Sequence, residues 1–504
     1  MCQKLYSSDA LSKQFAILVF LQPFIDIYRL FVGNGIEVAG ISLVELINIL
    51  FIGYLGILFI LNQKRWKSFA LAGVYAILLG VYLYLHCMNI LKFDTGIIAG
   101  TAVNVAIEVY VILRAYVLPV MLLYMMVYIK TEEERFVKTA VGTSAFISIV
   151  IVVTNIFKVS YISYASYLEE NEHIRQNIIE WFTKSPPKDL NLITSKGWFY
   201  SGNQIGLILL ILFPVVIYYA VAHKKKRGYA CVAVQVVAMI MVATKTAALG
   251  NLLVIGIMIV LLAIFGAVKK QLKENLKAII ALAVILGGGA LLLNSSPVKM
   301  MISLQGMSYM QSKEEEDLEE ELELFADGEL DTKGFSKFLN KYYYIYGIQE
   351  EFVKLFPVEQ HPQFWLAVIS NPNKKQVNFR DFKMEIYEQI LELNDNPGDQ
   401  YWGIGYTTNF PYMERDVIAQ AAWFGSIGAV LFLCPFALVF LLSVFNILRR
   451  FREKMNLYIC TLGLSVCAGA GGALMAGHLI GYFFPVIIWI YLLAQLYHES
   501  KEER

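Results

Sequence analysis

The sequence predicts an all-α integral membrane protein with about twelve transmembrane helices. Of its 504 residues, 57% are hydrophobic and only 16% are charged, a composition far from that of soluble globular domains. Long apolar stretches recur along the chain, and each is able to cross the roughly 30 Å hydrocarbon core of a bilayer. Every second connection between these stretches is short and rich in Lys or Arg, as is typical of cytoplasmic loops.

The predicted spans follow from marking these apolar stretches in order along the chain. Because their number is even, both termini are expected on the same side of the membrane. That side is predicted to be cytoplasmic, since it holds the basic connections NQKRWK, KTEEERFVK, HKKKRG, VKKQLKENLK and LRRFREK. The spans are 14–32, 41–61, 69–86, 105–129, 139–157, 204–222, 229–243, 246–266, 278–294, 417–444, 457–475 and 479–497.

The lengths of the outer connections divide the chain into three predicted parts. Residues 1–294 hold helices 1–9, with a moderate outer loop at 158–202. Residues 295–416 form a large extracytoplasmic helical loop domain, and residues 417–504 hold the last three helices and a cytoplasmic tail. The acidic run at 313–331 is interpreted as a solvated amphipathic helix in preference to a cation site. We therefore expect the function on the outer side of the membrane.

Ionisable side chains within the spans or at their outer ends are the first candidates for a site, because charge is costly in a membrane helix. They form a predominantly cationic outer rim, which suits an anionic substrate held at the membrane surface. For the first three a structural ion pair is favoured, and for the others a structural and a functional role both remain open. These residues are Asp26, Arg29, Glu45, Glu108, Arg114, Lys245 and His478.

Other kinds of site find no support in the sequence. Six cysteines are scattered without the spacing of metal ligands, which argues against a disulfide framework and a zinc site. The chain also holds neither a P-loop nor the Asp-x-Asp motif of enzymes that use nucleotide sugars. We therefore predict no metal, no cofactor and no nucleic-acid partner.

Several motifs resemble the O-antigen ligase and polysaccharide polymerase superfamily, in particular its Gram-positive members. They are KGWFYSGNQIGLILLILFP at 196–214, TKT at 244–246, FRDFKMEIYEQIL at 379–391, YWGIGYTTN at 401–409, AAWFGSIGAVLF at 421–432 and AGHLIGYFFP at 476–485. The resemblance implies a GT-C-like membrane enzyme with its active site on the outer face of the bacterial cytoplasmic membrane. It implies metal-independent inverting transfer of a glycan from undecaprenyl pyrophosphate during the synthesis of a surface polysaccharide, such as a capsule or an exopolysaccharide.

The same resemblance implies the partners and the residues that bind them. The expected partners are undecaprenyl-pyrophosphate-linked glycans, the lipid bilayer, and flippase or chain-length regulator proteins. Arg grips phosphate bidentately, whereas Lys acts as a point charge. The residues expected to bind the pyrophosphate or the glycan are Lys245, Arg380, Arg114, Lys196, Arg415, His478 and Asn203. For Asn203, a role as a helix cap is an equal alternative.

The sequence departs from the family pattern at the position of the catalytic base. Counting back from Gly425, the family's catalytic His falls on Glu414 and its Asn falls on Arg415. A carboxylate is able to accept the proton of a sugar hydroxyl, so Glu414 is the predicted base, with Asp416 as its neighbour. The alternative is that both acids only stabilise the first turn of a helix.

Three functions are compatible with these features. Polymerisation of lipid-linked repeat units is favoured, and ligase-like transfer of the glycan to another acceptor is the first alternative. The second alternative is an exporter of lipid-linked glycans. Transporters usually show internal repeats and broken helices in corresponding positions of two halves. Such halves are not evident in the sequence, and the charges crowd the outer rim, so the exporter is the less favoured alternative.

Overall fold

The computed structural model is helical and describes most of the chain. The described residues are 6–32, 37–38, 41–63, 67–98, 100–164, 172–224, 226–304, 331–343, 348, 350–370, 379–406 and 415–501. Within them, the strands β1 (Glu37–Val38) and β2 (Ile41–Ser42) pair antiparallel in the connection after the first helix. The all-α class that the composition predicts is therefore confirmed.

The helices follow one another with short connections in most of the chain. A π-helical segment, Leu113–Val117, joins the fourth helix to the fifth, and 3-10 turns occur at Glu180–Phe182 and Leu190–Ile193. The helices are α1 Ser8–Val32, α2 Leu43–Asn62, α3 Lys67–Ile90, α4 Val105–Ile112, α5 Leu118–Tyr128, α6 Glu133–Ile156, α7 Gly202–His223, α8 Lys226–Val242, α9 Lys245–Val268, α10 Leu272–Ser295, α11 Pro297–Leu304, α12 Thr332–Tyr342, α13 Glu350–Leu355, α14 Pro362–Ser370, α15 Phe379–Asn394, α16 Asp399–Trp402, α17 Asp416–Arg449, α18 Phe451–Lys454, α19 Leu457–Met475 and α20 Phe483–Lys501.

Ten helices in the described ranges are long and apolar enough to cross a membrane, with α4, the π-helical segment and α5 forming one of them. Two of the twelve predicted spans fall outside this set although both are helical. Helix α8 has 17 residues, which is at the lower limit of the length that a bilayer crossing needs. Helix α20 ends in the polar residues 498–501. Ten of the predicted spans are therefore supported within the described residues. The other two, the sidedness and the three-part division stay predictions.

The chain forms two compact units. Unit 1 comprises Met1–Ala70, Leu113–Ser303 and Leu433–Arg504. Unit 2 comprises Leu71–Ile112 and Leu304–Phe432.

Helix α7 is the central helix of unit 1. Its sequence is apolar on all faces over most of its length, which is typical of a helix surrounded by protein. It packs against α6, α8, α9, α19 and α20, and 83% of its membrane span is buried. In α10, only 22% of the span is buried, so its apolar side chains are available to lipid.

The connection between α6 and α7 folds onto unit 1 and places residues 194–201 beside the start of α7. The Tyr161 amide donates to the Gly197 carbonyl at 3.1 Å. Gly197 has φ +68°, and a side chain at this position would meet Ile151 at 3.2 Å, so both the conformation and the space favour glycine. A small apolar core stabilises the connection and consists of Ile162, Ile174 and Leu192.

In unit 2, helix α17 is broken at Gly425, which has the non-helical angles φ 67° and ψ 176°. Such a break removes the helical partners of the carbonyl groups in the preceding turn. The segment 401–406 replaces two of these partners. The Ile404 amide donates to the Ala422 carbonyl at 3.2 Å, and the Gly405 amide donates to the Trp423 carbonyl at 2.9 Å.

A third carbonyl at the break is bonded by a side chain of α3, because the Tyr82 hydroxyl donates to the Phe424 carbonyl at 2.8 Å. The two backbones approach so closely that a side chain on Gly403 would meet the Trp423 carbonyl oxygen at 2.2 Å. A side chain on Gly425 would meet residue 401 at 2.3 Å. Non-helical backbone at membrane depth is tolerated where the protein satisfies its polar groups, as it does here.

Candidate functional site

A polar cleft lies at one end of unit 1, where α1 ends and where α2 and α7 begin. Its cavity volume is about 50 Å³. Its walls combine two arginines, two carboxylates and three amide side chains with aromatic residues of the connection into α20. The lining residues are Gln22, Ile25, Asp26, Arg29, Val44, Glu45, Asn48, Arg114, Gln204, Gly481, Tyr482, Phe483 and Phe484.

Arg114 and Glu45 form an ion pair in this cleft. Arg114 lies on the π-helical segment between α4 and α5, and such segments are frequent at functional sites. Glu45 is the third residue of α2, whose first turn is capped by the Ser42 hydroxyl. Both charged side chains are 21% exposed, so the pair is accessible from the cleft.

Tyr200 connects the other two charges of the cleft. Its amide donates to a carboxylate oxygen of Asp26 at 2.9 Å. The guanidinium of Arg29 lies 3.9 Å from the centre of its ring, a cation-π contact. Asp26 and Arg29, for which the sequence favours a structural ion pair, thus both contact Tyr200. Because one face of the guanidinium lies on the ring, Arg29 is held in a fixed orientation.

Lys196 lies next to this arrangement and is fully buried. Its ammonium donates to the Tyr200 carbonyl at 3.0 Å. Burial lowers the pKa of Lys196 to about 7, and the charge of Asp26 opposes part of that shift. The contact seen here is with backbone, and Lys196 is absent from the cleft lining. Its predicted role in binding the substrate therefore stays a prediction.

Asn203 and His478 meet beside the cleft, with the Asn203 amide nitrogen 3.5 Å from Nε2 of His478. Ser201 occupies the N-cap position of α7, so the alternative role of Asn203 as the cap is wrong. His478 follows Gly477 in the turn before α20 and has φ +69°. This conformation is unfavourable for a residue with a side chain, and such strain clusters at functional sites.

Lys245 is the first residue of α9 and is exposed. A cation in the first turn opposes the helix dipole, so helix stability gives no reason for a lysine here. The cap residue Thr244 lies against α7, because a side chain on Gly206 would meet its hydroxyl at 2.7 Å. The backbone of Lys245 therefore lies near the first turns of α7, although Lys245 is absent from the cleft lining.

The remaining predicted site residues belong to unit 2. Glu414, the predicted base, lies outside the described residues, and for Arg380 in α15 only the backbone is described. Arg415 directly precedes α17, and its carbonyl accepts the Ala419 amide at 2.9 Å. Asp416 is the first residue of α17 and is 2% exposed, a position where an acid stabilises the helix. The catalytic roles of Glu414 and Asp416 stay predictions.

Two amides on the cleft wall were missed in the sequence. The Gln22 amide nitrogen donates to the Asn48 side-chain oxygen at 2.8 Å and thereby connects α1 to α2. Both residues are 1% exposed. The signal was present, since an amide in an apolar span needs a partner as much as a charge does.

A second polar cluster, also missed, lies in unit 2 and centres on His86 of α3. Its Nε2 is 2.9 Å from a carboxylate oxygen of Glu108, and its Nδ1 contacts the Trp402 carbonyl. The Tyr406 amide donates to both Glu108 oxygens, at 2.9 and 3.0 Å. His86 and Glu108 are both 0% exposed. The cluster therefore holds the segment 401–406 against α3 and α4.

Asn89, one turn further along α3, extends this cluster. Its amide donates to Asp399 at 2.8 Å and to the Gly403 carbonyl at 3.0 Å. Burial raises the pKa of Asp399, while bonds from Asn394, Asn89 and Asn396 act in the opposite direction. These contacts explain the Gly-x-Gly turn at 403–405, whose two glycines both have positive φ. Among the described residues, groups of three metal-ligating side chains are absent.

The comparisons with known proteins agree with the motifs. Residues 8–501 match the family described as O-antigen ligase like membrane protein. No curated protein matches the chain. The family consists of multi-pass, glycosyltransferase-like membrane enzymes that assemble polysaccharides from lipid-linked glycans. The resemblance is therefore confirmed over nearly the whole chain, and the protein belongs to the O-antigen ligase-like membrane protein family.

Proposed function

We propose that the protein polymerises oligosaccharide repeat units, carried on undecaprenyl pyrophosphate, into a surface polysaccharide on the outer face of the bacterial cytoplasmic membrane. The observation that supports this is the cleft of unit 1, which presents Arg29 and Arg114 on the wall of one polar cleft. Two arginines at one end of a bundle of membrane-spanning helices suit a pyrophosphate that is attached to a membrane lipid.

The chemistry of the transfer explains why such a site needs cations. An acceptor hydroxyl attacks the anomeric carbon, the bond from this carbon to the pyrophosphate oxygen breaks, and the pyrophosphate leaves with the electron pair. The leaving group is strongly anionic, so it needs positive charge more than it needs a proton. The planar guanidinium groups of Arg29 and Arg114 supply that charge, and the proposed step is therefore metal-independent.

The other polar groups of the cleft suit the glycan. Amide side chains such as Gln204 donate to and accept from sugar hydroxyls, and Tyr482 offers an aromatic face beside them. Asn203 and His478 are proposed to contact the glycan next to the cleft. From the sequence, Lys245, Lys196, Arg380 and Arg415 are proposed as further contacts of the donor. From the resemblance, Glu414 and Asp416 are candidates for the base, and a carboxylate that lines the cleft is a further candidate.

The test is the length of the surface polysaccharide in a strain that lacks the gene and is complemented with variants. Arg29→Ala and Arg114→Ala are expected to lower polymer formation by about 100-fold or more at normal membrane levels. Arg135→Ala is the matched control, because Arg135 is also 21% exposed and paired with an acid, Asp9, but is absent from the cleft lining. Polymer at wild-type level in both cleft variants would contradict the proposal.

The material that accumulates in the deletion strain separates the three candidate functions. Single repeat units on undecaprenyl pyrophosphate at the outer leaflet would support the polymerase. Long glycans that stay attached to the lipid would identify ligase-like transfer to another acceptor. Repeat units that remain at the inner leaflet would identify an exporter.

A further inference from the structure

We propose that Glu45 is the base that accepts the proton of the acceptor hydroxyl. This inference rests on the proposed function, because it takes the cleft of unit 1 as the site of transfer. Glu45 lines that cleft together with Arg29 and Arg114. The base must lie within hydrogen-bond reach of the attacking hydroxyl, which in an inverting transfer approaches the anomeric carbon from the face opposite to the pyrophosphate. It therefore belongs to the same cleft as the arginines, across the sugar from the leaving group.

The conformation of Glu45 differs from the one that its position in α2 predicts. Ser42 is the N-cap and Glu45 is the third helical residue, the spacing of a capping box. In a capping box, the acid folds back to the amide of the cap residue. Here the Ser42 hydroxyl accepts from the Glu45 amide at 3.3 Å, while the carboxylate forms an ion pair with Arg114. The Glu45 carboxylate is thus directed towards Arg114 in the cleft and not towards the amide of Ser42.

The other carboxylate of the cleft is less suited to be the base. Asp26 is 6% exposed, and its oxygen accepts the Tyr200 amide at 2.9 Å. It thereby fixes the connection that carries Tyr200 and, through the ring, Arg29. Glu45, whose side chain is 21% exposed, is the carboxylate that is open to the cleft.

Binding of the donor would change the partner of Arg114. A pyrophosphate carries more negative charge than a carboxylate and accepts the guanidinium fork through two oxygens. Arg114 then turns to the pyrophosphate, and Glu45 exchanges this contact for the acceptor hydroxyl on the opposite face of the sugar. In the transfer, the hydroxyl oxygen bonds to the anomeric carbon and its proton moves to Glu45. The pyrophosphate leaves with the electrons of the broken bond, and Glu45 passes the proton to water afterwards.

The simpler interpretation is that Glu45 only neutralises Arg114 in the empty cleft. The two interpretations predict different results for Glu45→Gln, which keeps the shape of the side chain and removes its charge and basicity. A counter-ion contributes nothing to the transfer once the pyrophosphate has taken its place. A base is required in each transfer, and its loss typically costs 10²–10⁴-fold in rate.

The experiment measures binding and transfer separately in the full chain. Binding of undecaprenyl pyrophosphate is measured with protein in lipid nanodiscs, and polymer formation is measured in the complemented strain. For Glu45→Gln we expect binding within about threefold of wild type, or tighter, and polymer formation at least about 100-fold lower. The matched control is Glu134→Gln, because Glu134 is also paired with a cation near a helix start but is absent from the cleft lining.

Three outcomes would overturn the inference. If Glu45→Gln forms polymer within about threefold of wild type, Glu45 is only a counter-ion. If Glu414→Gln abolishes polymer in that same series, Glu414 is the base. If Glu45→Gln loses binding together with polymer, Glu45 shapes the site and is not the base.

A second variant keeps the inference testable where Glu45→Gln does not accumulate in membranes. Glu45→Asp retains a carboxylate but shortens its reach by one methylene. We expect unchanged binding and polymer formation about tenfold lower. Unchanged polymer formation, or loss of binding, would contradict the inference. If the wild-type protein binds no undecaprenyl pyrophosphate, the proposed function fails, independently of Glu45.

Discussion

Two pairs of ionisable side chains, one in each unit, lie in opposite environments. In unit 1, Arg114 and Glu45 are both 21% exposed and line a cleft. In unit 2, His86 and Glu108 are 0% exposed, and the backbone groups of Trp402 and Tyr406 bond to them as well. A pair that is partly exposed, as Arg114 and Glu45 are, is able to exchange one partner for a ligand at a lower cost than a buried pair. A buried pair that loses one partner leaves a polar group without solvent, so it acts as a fixed structural contact.

The largest expected effect is on the buried pair of unit 2. Glu108→Ala is expected to lower the free energy of unfolding by about 3–5 kcal/mol, because His86 and the Tyr406 amide both lose a buried acceptor. Glu45→Ala is the matched variant in the partly exposed pair, with an expected loss of about 1 kcal/mol. Thermal unfolding in detergent and membrane levels measure both. Equal losses would show that exposure does not separate the two pairs.

Lys196, a buried lysine of unit 1, differs from both pairs because it is able to lose its proton and with it its charge. The pKa of Lys196 is about 7 in the folded protein and near 10.5 when the lysine is solvated. Between these values the unfolded chain holds a proton that the folded protein has lost. The free energy of unfolding should therefore rise with pH in this window, by up to about 1.4 kcal/mol per pH unit, and be flat below it.

Lys196→Met removes the titrating group at similar length, so it tests this pH dependence. We expect its unfolding midpoint to rise less than that of wild type between about pH 7 and about pH 10. Thermal unfolding across this range measures the difference. The same pH dependence in both proteins would show that Lys196 keeps its proton in the folded state.

A smaller effect on polymer formation is expected from a change at Arg114 that keeps its charge beside Glu45. Arg114→Lys retains one positive charge but loses the guanidinium fork that binds two phosphate oxygens. We expect polymer formation to fall by about tenfold, which corresponds to about 1.4 kcal/mol. Chain length in the complemented strain gives the measurement. Wild-type activity in this variant would show that a point charge is enough.

The smallest expected effect concerns the ring below Arg29. Tyr200→Leu removes a cation-π contact, worth about 0.5–1 kcal/mol at an exposed site, but keeps the amide that donates to Asp26. Binding of undecaprenyl pyrophosphate is expected to weaken by about two- to fivefold. If Tyr200→Leu weakens this binding as much as Arg29→Ala does, the ring does more than orient the guanidinium.

The sequence predicts the class of fold and part of the cleft, and the physical reasons are specific. A charge in an apolar span stands out, so Asp26, Arg29, Glu45 and Arg114 could be identified before the structure was known. Their partners could not be identified. A π-helical segment changes the direction in which Arg114 points, and no residue pattern in LRAYV predicts that segment.

Other parts of the site depended on contacts between residues far apart in the chain. Tyr200 has no charge and lies in a connection, so no sequence pattern predicts its contacts with Asp26 and Arg29. His86 was overlooked in an apolar span, although an ionisable residue there is a signal. Its partner Trp402 follows it by 316 residues, and no local pattern links the two. The same limit applies to Lys196, whose burial only the folded connection shows.

The crossing of two backbones at Gly403 and Gly425 has a consequence for how this protein can change. Each glycine occupies the space that a side chain on the other segment would need. Each also has a positive φ that other residues adopt with strain. A larger residue at either position would force the segments apart and leave the Ala422 and Trp423 carbonyls without their donors. A substitution at either glycine is therefore expected to be costly. A change at the other position does not relieve that cost, because both residues are already glycine.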